Sequence, residues 1–330
     1  MNIGYYSITK INENDSIFNI LIGGIGIIIL FLIVSYIRSR NKDNIIQSVN
    51  RLFPKVFRII FFFITFIILG FTSIYSFTIL ISFIQYYILK EVSLLIISVT
   101  LISTIIYIVR KGLKTISKLS EIFFYVYLLI ILISIIGLVK YMDLSNLKPL
   151  FIHNISNHFD SSILYFISSI IPLFLLLIIP NIPNKSNLRF HKVPLFMTIF
   201  TILLCFIQLI IIISVLGINL TNIYQNPDMI VYKKISFLNI LERVEVFLAF
   251  NNILNSLFII IMCIYFMKEV MNNFISIKKE PISLALIGIF IIIISNTFYV
   301  DLSIYLFVSF ITLVLLFILF FNYFLNNNNH

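Results

Sequence analysis

Residues 193–217 read VPLFMTIFTILLCFIQLIIIISVLG, twenty-five positions without one charge. An α-helix rises 1.5 Å per residue, so this stretch covers about 37 Å, more than a bilayer hydrocarbon core of about 30 Å. A soluble core helix is seldom apolar on every face, whereas a lipid-facing one is free to be. Eight further stretches have the same character: 17–37, 57–88, 92–109, 121–139, 161–180, 243–267, 282–300 and 303–325. The second is long enough to tilt or protrude. Only Asp301 and its neighbours separate the last two.

The rest of the composition agrees. Of 330 residues, 61% are hydrophobic and 11% charged, and the mean hydropathy is +1.11. The gaps between spans reach only about twenty-five residues, too short for a soluble core. The expected fold is an all-α integral membrane protein with about nine transmembrane helices, residues 1–330 forming one membrane domain in contact with the lipid bilayer. The first eleven residues lack the charged start, apolar core and cleavage site of a secretory signal peptide.

A net charge of +10 invites a nucleic-acid reading. The basic residues form no patch with interleaved aromatics; they fall in short loops between apolar runs, which excludes nucleic acid as the expected partner. With the N-terminus outside, the inward segments 38–58, 110–120, 181–192 and 268–281 hold 16 of the 23 Lys and Arg. The outward side holds the other seven. The asymmetry predicts N-out and C-in, as an odd number of spans requires.

Residues with chemical potential are few. Glu121 stands just after a basic stretch, where a carboxylate at a helix start faces the positive end of the dipole or pairs with Lys118. Glu242, Arg243 and Glu245 form a charge cluster at the edge of the seventh span, and a solvated cap explains it. No carboxylate lies at the middle of a span, which argues against a buried proton relay. Cys205 and Cys263 sit in apolar runs and read as small buried hydrophobes. His153 and His158 stand five apart in a loop with Asp160, not a metal spacing, and are expected to be solvated. No phosphate loop, zinc spacing or nucleophile elbow is present, so neither an enzyme nor a cofactor or metal is expected.

Uncharged polar residues are commoner. Asn251 and Asn255 share a helix face at i,i+4, where amides serve either as ligand contacts or as glue between helices. Ser168 and Ser169 precede Pro172, with Pro180 and Pro183 beyond; a proline removes a helix hydrogen bond, giving either a simple kink or the broken helix of a transporter site. Thr72, Ser73, Tyr75, Ser76 and Thr78 interrupt the second span with polarity. Gly23, Gly24 and Gly26 in the first span permit close helix approach. The expected ligand-binding residues are Tyr75, Ser76, Ser169, Pro172, Asn251 and Asn255.

Three stretches carry a family resemblance. Residues 110–151, RKGLKTISKLSEIFFYVYLLIILISIIGLVKYMDLSNLKPLF, join a basic KG turn, SEIFF, and a span ending in DLSNLKPL. Residues 226–246 place Pro227 before the helix start FLNILERVEV, and 38–56 form a basic loop leading into a long span. In order and spacing these resemble the spore germination permease family, the B subunits of nutrient germinant receptors in endospore-forming bacteria. The resemblance implies membership of the amino acid–polyamine–organocation superfamily: ten helices in two inverted five-helix (LeuT-like) repeats. The second repeat would be 161–325, with five helices. The first would be 17–139, with four, so the family's first helix is expected to be missing. That helix and 161–180 would together form the ligand site. The implied function is to sense a small nutrient, an amino acid by preference, in the spore inner membrane, with A and C receptor subunits as partners. An amino-acid permease and a truncated non-functional paralogue are the alternatives.

Overall fold

The computed structural model describes residues 8–40, 45–179, 187–224, 226–233, 245–274, 280–298 and 301–327. Among these residues the regular structure is entirely helical. Over its described residues each of the nine apolar stretches is mainly helical, and helix ends fall where the chemistry changes. Helix α1 (Ser16–Arg40) is prefaced by a helical segment over 8–12 and a 3-10 turn (Glu13–Asp15), and ends at two arginines. The basic segment 38–56, read as a loop, holds a short helix α2 (Ile45–Leu52). It buries Ile45, Ile46 and Val49 on one face and exposes Gln47 and Arg51 on the other, the division of an interfacial helix.

Pro54 precedes α3 (Lys55–Tyr87), whose 33 residues reach about 50 Å and overrun the bilayer core. Helix α4 (Leu94–Arg110) stops at Lys111 and Gly112. Gly112 has φ +82, a conformation that lets the chain turn at once into α5 (Leu113–Leu138). Helix α5 thus starts earlier than the apolar run suggested, and Glu121 lies two turns inside it and exposed, not at its start. Two 3-10 turns (Val139–Tyr141 and Leu144–Leu147) lead to α6 (Ile155–Ser168) and α7 (Ile170–Leu175). Then follow α8 (Asn187–Ile223), α9 (Pro227–Lys233), α10 (Glu245–Phe274), α11 (Glu280–Thr297) and α12 (Leu302–Asn327). The weak boundary at Asp301 is real: its carbonyl accepts from the amides of Ile304 and Tyr305 at the start of α12.

Among the described residues seven helices are long and apolar enough to cross a membrane: Ile8–Arg38, Lys55–Tyr87, Leu113–Tyr141, Ile155–Leu175, Val193–Ile223, Ala249–Asn272 and Leu302–Asn322. The apolar helices Leu94–Arg110 and Pro281–Thr297 are shorter. Pro180, Pro183, Glu242 and Arg243, and all but the last residues of FLNILERVEVF, lie outside the described residues.

The chain forms two compact units, and each draws helices from both halves of the sequence. The first comprises Met1–Arg40, Tyr127–Leu173 and Ile182–Asn251; the second comprises Asn41–Val126, Phe174–Asn181 and Asn252–His330. In the first unit, α1 packs on α6 and α8 through its glycines. A Cβ at Gly23 would stand 2.6 Å from the Ser162 carbonyl oxygen; one at Gly24 would stand 2.7 Å from Ile202 Cγ2. In the second unit, α3 packs on α4, α11 and α12. Asn296 of α11 donates to Ser98 Oγ of α4 at 3.3 Å.

Two long-range locks hold the loops of the first unit. Gly217 interrupts α8 with φ 74 and ψ 162. Three residues earlier the Ser214 carbonyl accepts from the Asp143 amide (3.0 Å) and from Asn146 Nδ2 (2.9 Å). The DLSNL segment is therefore a plug on the break in α8. Asp143 accepts from the hydroxyl and amide of Ser145, which fixes the turn and holds the Asp143 carboxyl below its usual range. In the second lock, Asp15 accepts from the successive amides of Phe151, Ile152 (3.0 Å) and His153 (3.1 Å). Phe151 takes a positive φ of 61, so three N–H groups converge on one carboxylate, and its ring stacks on Phe18 at 4.6 Å.

Candidate ligand-binding site

The serine pair and proline read in the sequence do break a helix. Helix α6 ends at Ser168, Ser169 leaves it at φ −97, ψ −2, and α7 resumes at Ile170. The local chemistry favours the break. The hydroxyls of Ser168 (2.7 Å) and Ser169 (3.1 Å) both donate back to the Tyr165 carbonyl, a bond that bends helices. Pro172 has no N–H to return to Ser168, four residues before it. Helix α7 then tightens into a 3-10 turn (Leu176–Ile178). Ser169 is buried and Pro172 half-buried.

A polar cluster that the sequence reading missed lies just before the break. Tyr165 of α6 is buried and hydrogen-bonded to the thiol of Cys205 in α8. Tyr127 of α5 comes close to both Cys205 and Tyr232 of α9. Three phenols and a thiol from four helices thus converge inside the first unit. Nothing in their spacing announces this, because tertiary packing alone brings them together. Cys205 was rightly read as buried, and its hydrogen bond was not legible.

In the second unit, Tyr75 is buried on α3 and stacks on Tyr305 of α12, centroids 4.7 Å apart. Ser76 beside it is buried as well. The surrounding polarity of α3 is spent locally: Thr72 donates to the Ile68 carbonyl, Ser73 to that of Gly70 and Thr78 to that of Tyr75. Asn251 is buried and is the last residue of the first unit. Asn255, one turn on, belongs to the second unit and is exposed. The six expected residues therefore divide between the units. Ser169, Pro172 and Asn251 belong to one, Tyr75, Ser76 and Asn255 to the other.

His153 and His158, expected to be solvated, are half-buried instead. His153 Nδ1 lies 3.2 Å from Asp15 Oδ2, and His158 Nδ1 lies 2.8 Å from Asn19 Oδ1. The partners come from about 140 positions away, which no local pattern reveals. Among the described residues no three His, Cys, Asp or Glu group as a metal site.

A family model described as spore germination protein, a spore permease family, matches residues 4–301. No curated protein matches the chain.

Proposed function

The chain belongs to the spore germination protein family, a permease-type family of membrane proteins, and on that premise we propose that it is the membrane subunit of a nutrient germinant receptor. It senses a small nutrient, an amino acid by preference. The carrying observation is the break at Ser169 and Pro172 inside the helical segment Ile155–Leu175. Inverted-repeat transporters bind their ligands at discontinuous helices, where backbone groups leave the helical ladder and turn to the ligand. Tyr165 and Cys205 place polar atoms close to the break.

Segments 17–139 and 161–325 are taken as two repeats, and compact units that mix helices of both halves suit interleaved repeats. Nutrient contacts are assigned to Ser169, Pro172 and Asn251 of the first unit. The basic residues set the N-terminus outside and the C-terminus inside the spore inner membrane. Binding favours one of two states of the helix bundle, and that bias passes to the A and C subunits. The lack of a mid-span carboxylate favours sensing over proton-driven uptake.

The test is dipicolinate release from spores with the gene deleted, across amino acids and sugars. Loss of response to one nutrient class, restored by complementation, is the expected result. Normal germination with every nutrient would refute the receptor reading.

A further inference from the structure

The turn from α4 into α5 packs four cations into nine positions: Arg110, Lys111, Lys114 and Lys118, all of them exposed. One carboxylate, Glu121, stands near them in sequence, and among the described residues none of the four forms an ion pair. Lys111 instead lies over the ring of Tyr107, 5.3 Å from its centroid, and that ring is itself exposed. Tyrosine beside lysine at the end of an apolar helix is the composition of a membrane–water interface.

The start of α5 gives this charge a direction. The helix begins two turns before its apolar run, and over those turns it buries Ile116 and exposes Lys114, Ser117 and Lys118. Positions 114, 118, 122 and 125 follow the three-and-four spacing of a single helix face. On that face Lys114 and Lys118 give way to Ile122 and Tyr125, exposed at 58% and 64%. Exposed apolar side chains on a membrane span meet acyl chains. The two lysines stand about one and two turns before Ile122, which is the level of lipid headgroups.

Basic residues in a short loop orient a chain during insertion. Exposure at the end of a lipid-facing stripe gives these four a second role in the folded protein. We propose that Arg110, Lys111, Lys114 and Lys118 form a binding surface for the headgroup phosphates of anionic phospholipids. Four cations directly at the end of a span are what such lipids attract, each strengthening the attraction by about fivefold. A membrane surface suits this patch better than an acidic protein segment, because the helix face that carries the lysines runs on into lipid.

The test uses the full chain in dodecylmaltoside micelles, with phosphatidylglycerol as the anionic probe and phosphatidylcholine as its zwitterionic match. Native mass spectrometry reads lipid binding and the melting midpoint reads folding. Wild type should bind phosphatidylglycerol about tenfold or more tightly than phosphatidylcholine. Lys111→Gln, Lys114→Gln and Lys118→Gln together should remove most of that preference, and the same three changed to Arg should keep it. Lys90→Gln, which removes an exposed cation beyond the opposite end of α4, should leave it unchanged. Should the triple Gln variant fail to fold, Lys114→Gln alone carries the comparison, with a loss of about fivefold. The proposal is overturned by no preference in wild type, by an undiminished preference in the folded Gln variant, or by an equal loss in the Arg variant or in Lys90→Gln. Displacement of phosphatidylglycerol by a soluble hexaglutamate peptide would also overturn it, by assigning the patch to an acidic protein segment.

Discussion

One chemical change, glycine to alanine, should have opposite signs at two helical positions of this protein. At Gly23 the added Cβ would stand 2.6 Å from the Ser162 carbonyl oxygen and 3.0 Å from Tyr165 Cδ1. Ordinary contact begins at 3.4 Å, so α1 and α6 must part by about 0.8 Å, and the blocking oxygen belongs to backbone that cannot rotate aside. Overpacking of this kind costs about 1–3 kcal/mol. At Gly70 on α3 the nearest atom is Met267 Cε at 3.9 Å, an ordinary contact at the end of a flexible side chain. There alanine should stabilise by about 0.4–1 kcal/mol, through the smaller conformational freedom of the unfolded chain. The two variants should differ by about 1.5–4 kcal/mol in denaturant unfolding in mixed micelles, with wild type between them. If Gly23→Ala is as stable as wild type, the close packing of α1 on α6 is wrong; if Gly70→Ala is the weaker protein, the open space at Gly70 is wrong.

Gly217→Ala should destabilise by about 1–3 kcal/mol, because φ 74 with ψ 162 is nearly exclusive to glycine. Asn146→Ala should cost about 0.5–1.5 kcal/mol alone and less beside Gly217→Ala, since both act at the Ser214 plug; strict additivity in the double-mutant cycle would exclude that coupling. Asp15→Ala leaves three amides without their acceptor and should cost about 2–4 kcal/mol, with proteolytic cleavage newly detectable in the 149–153 loop; an uncut loop would count against the lock. The Asp143 carboxyl is held below its ordinary pKa, so its contribution is complete above about pH 4 and fades as pH falls through the lowered native value. The melting difference between wild type and Asp143→Asn should close on acidification, and a gap that widens would reverse the sign.

What the sequence revealed follows from the range of the interaction concerned. Long uncharged runs place helices by themselves, because lipid leaves the backbone no other solution. Lys111–Gly112 is a turn for a local reason, and the Ser168–Ser169–Pro172 break is likewise encoded within one turn. Gly23, Gly24 and Gly26 were legible as an approach surface, though not their partners. Gly217 was read as the end of a span, yet the helix resumes beyond it as far as Ile223. That continuation depends on Asn146, some seventy positions away. Asp15 carried no signal in the sequence. Its role depends on a loop 136 positions further on. The amphipathic α2 was obscured by the basic residues around it.

In the proposed function a nutrient is read at the helix break. The decisive measurement is the nutrient dose response of dipicolinate release in deletion spores complemented with wild-type protein or with Pro172→Ala, at equal protein abundance. A half-maximal concentration raised by about tenfold, the loss of about 1.4 kcal/mol of ligand binding, is the predicted result. An unchanged dose response at equal abundance would contradict it.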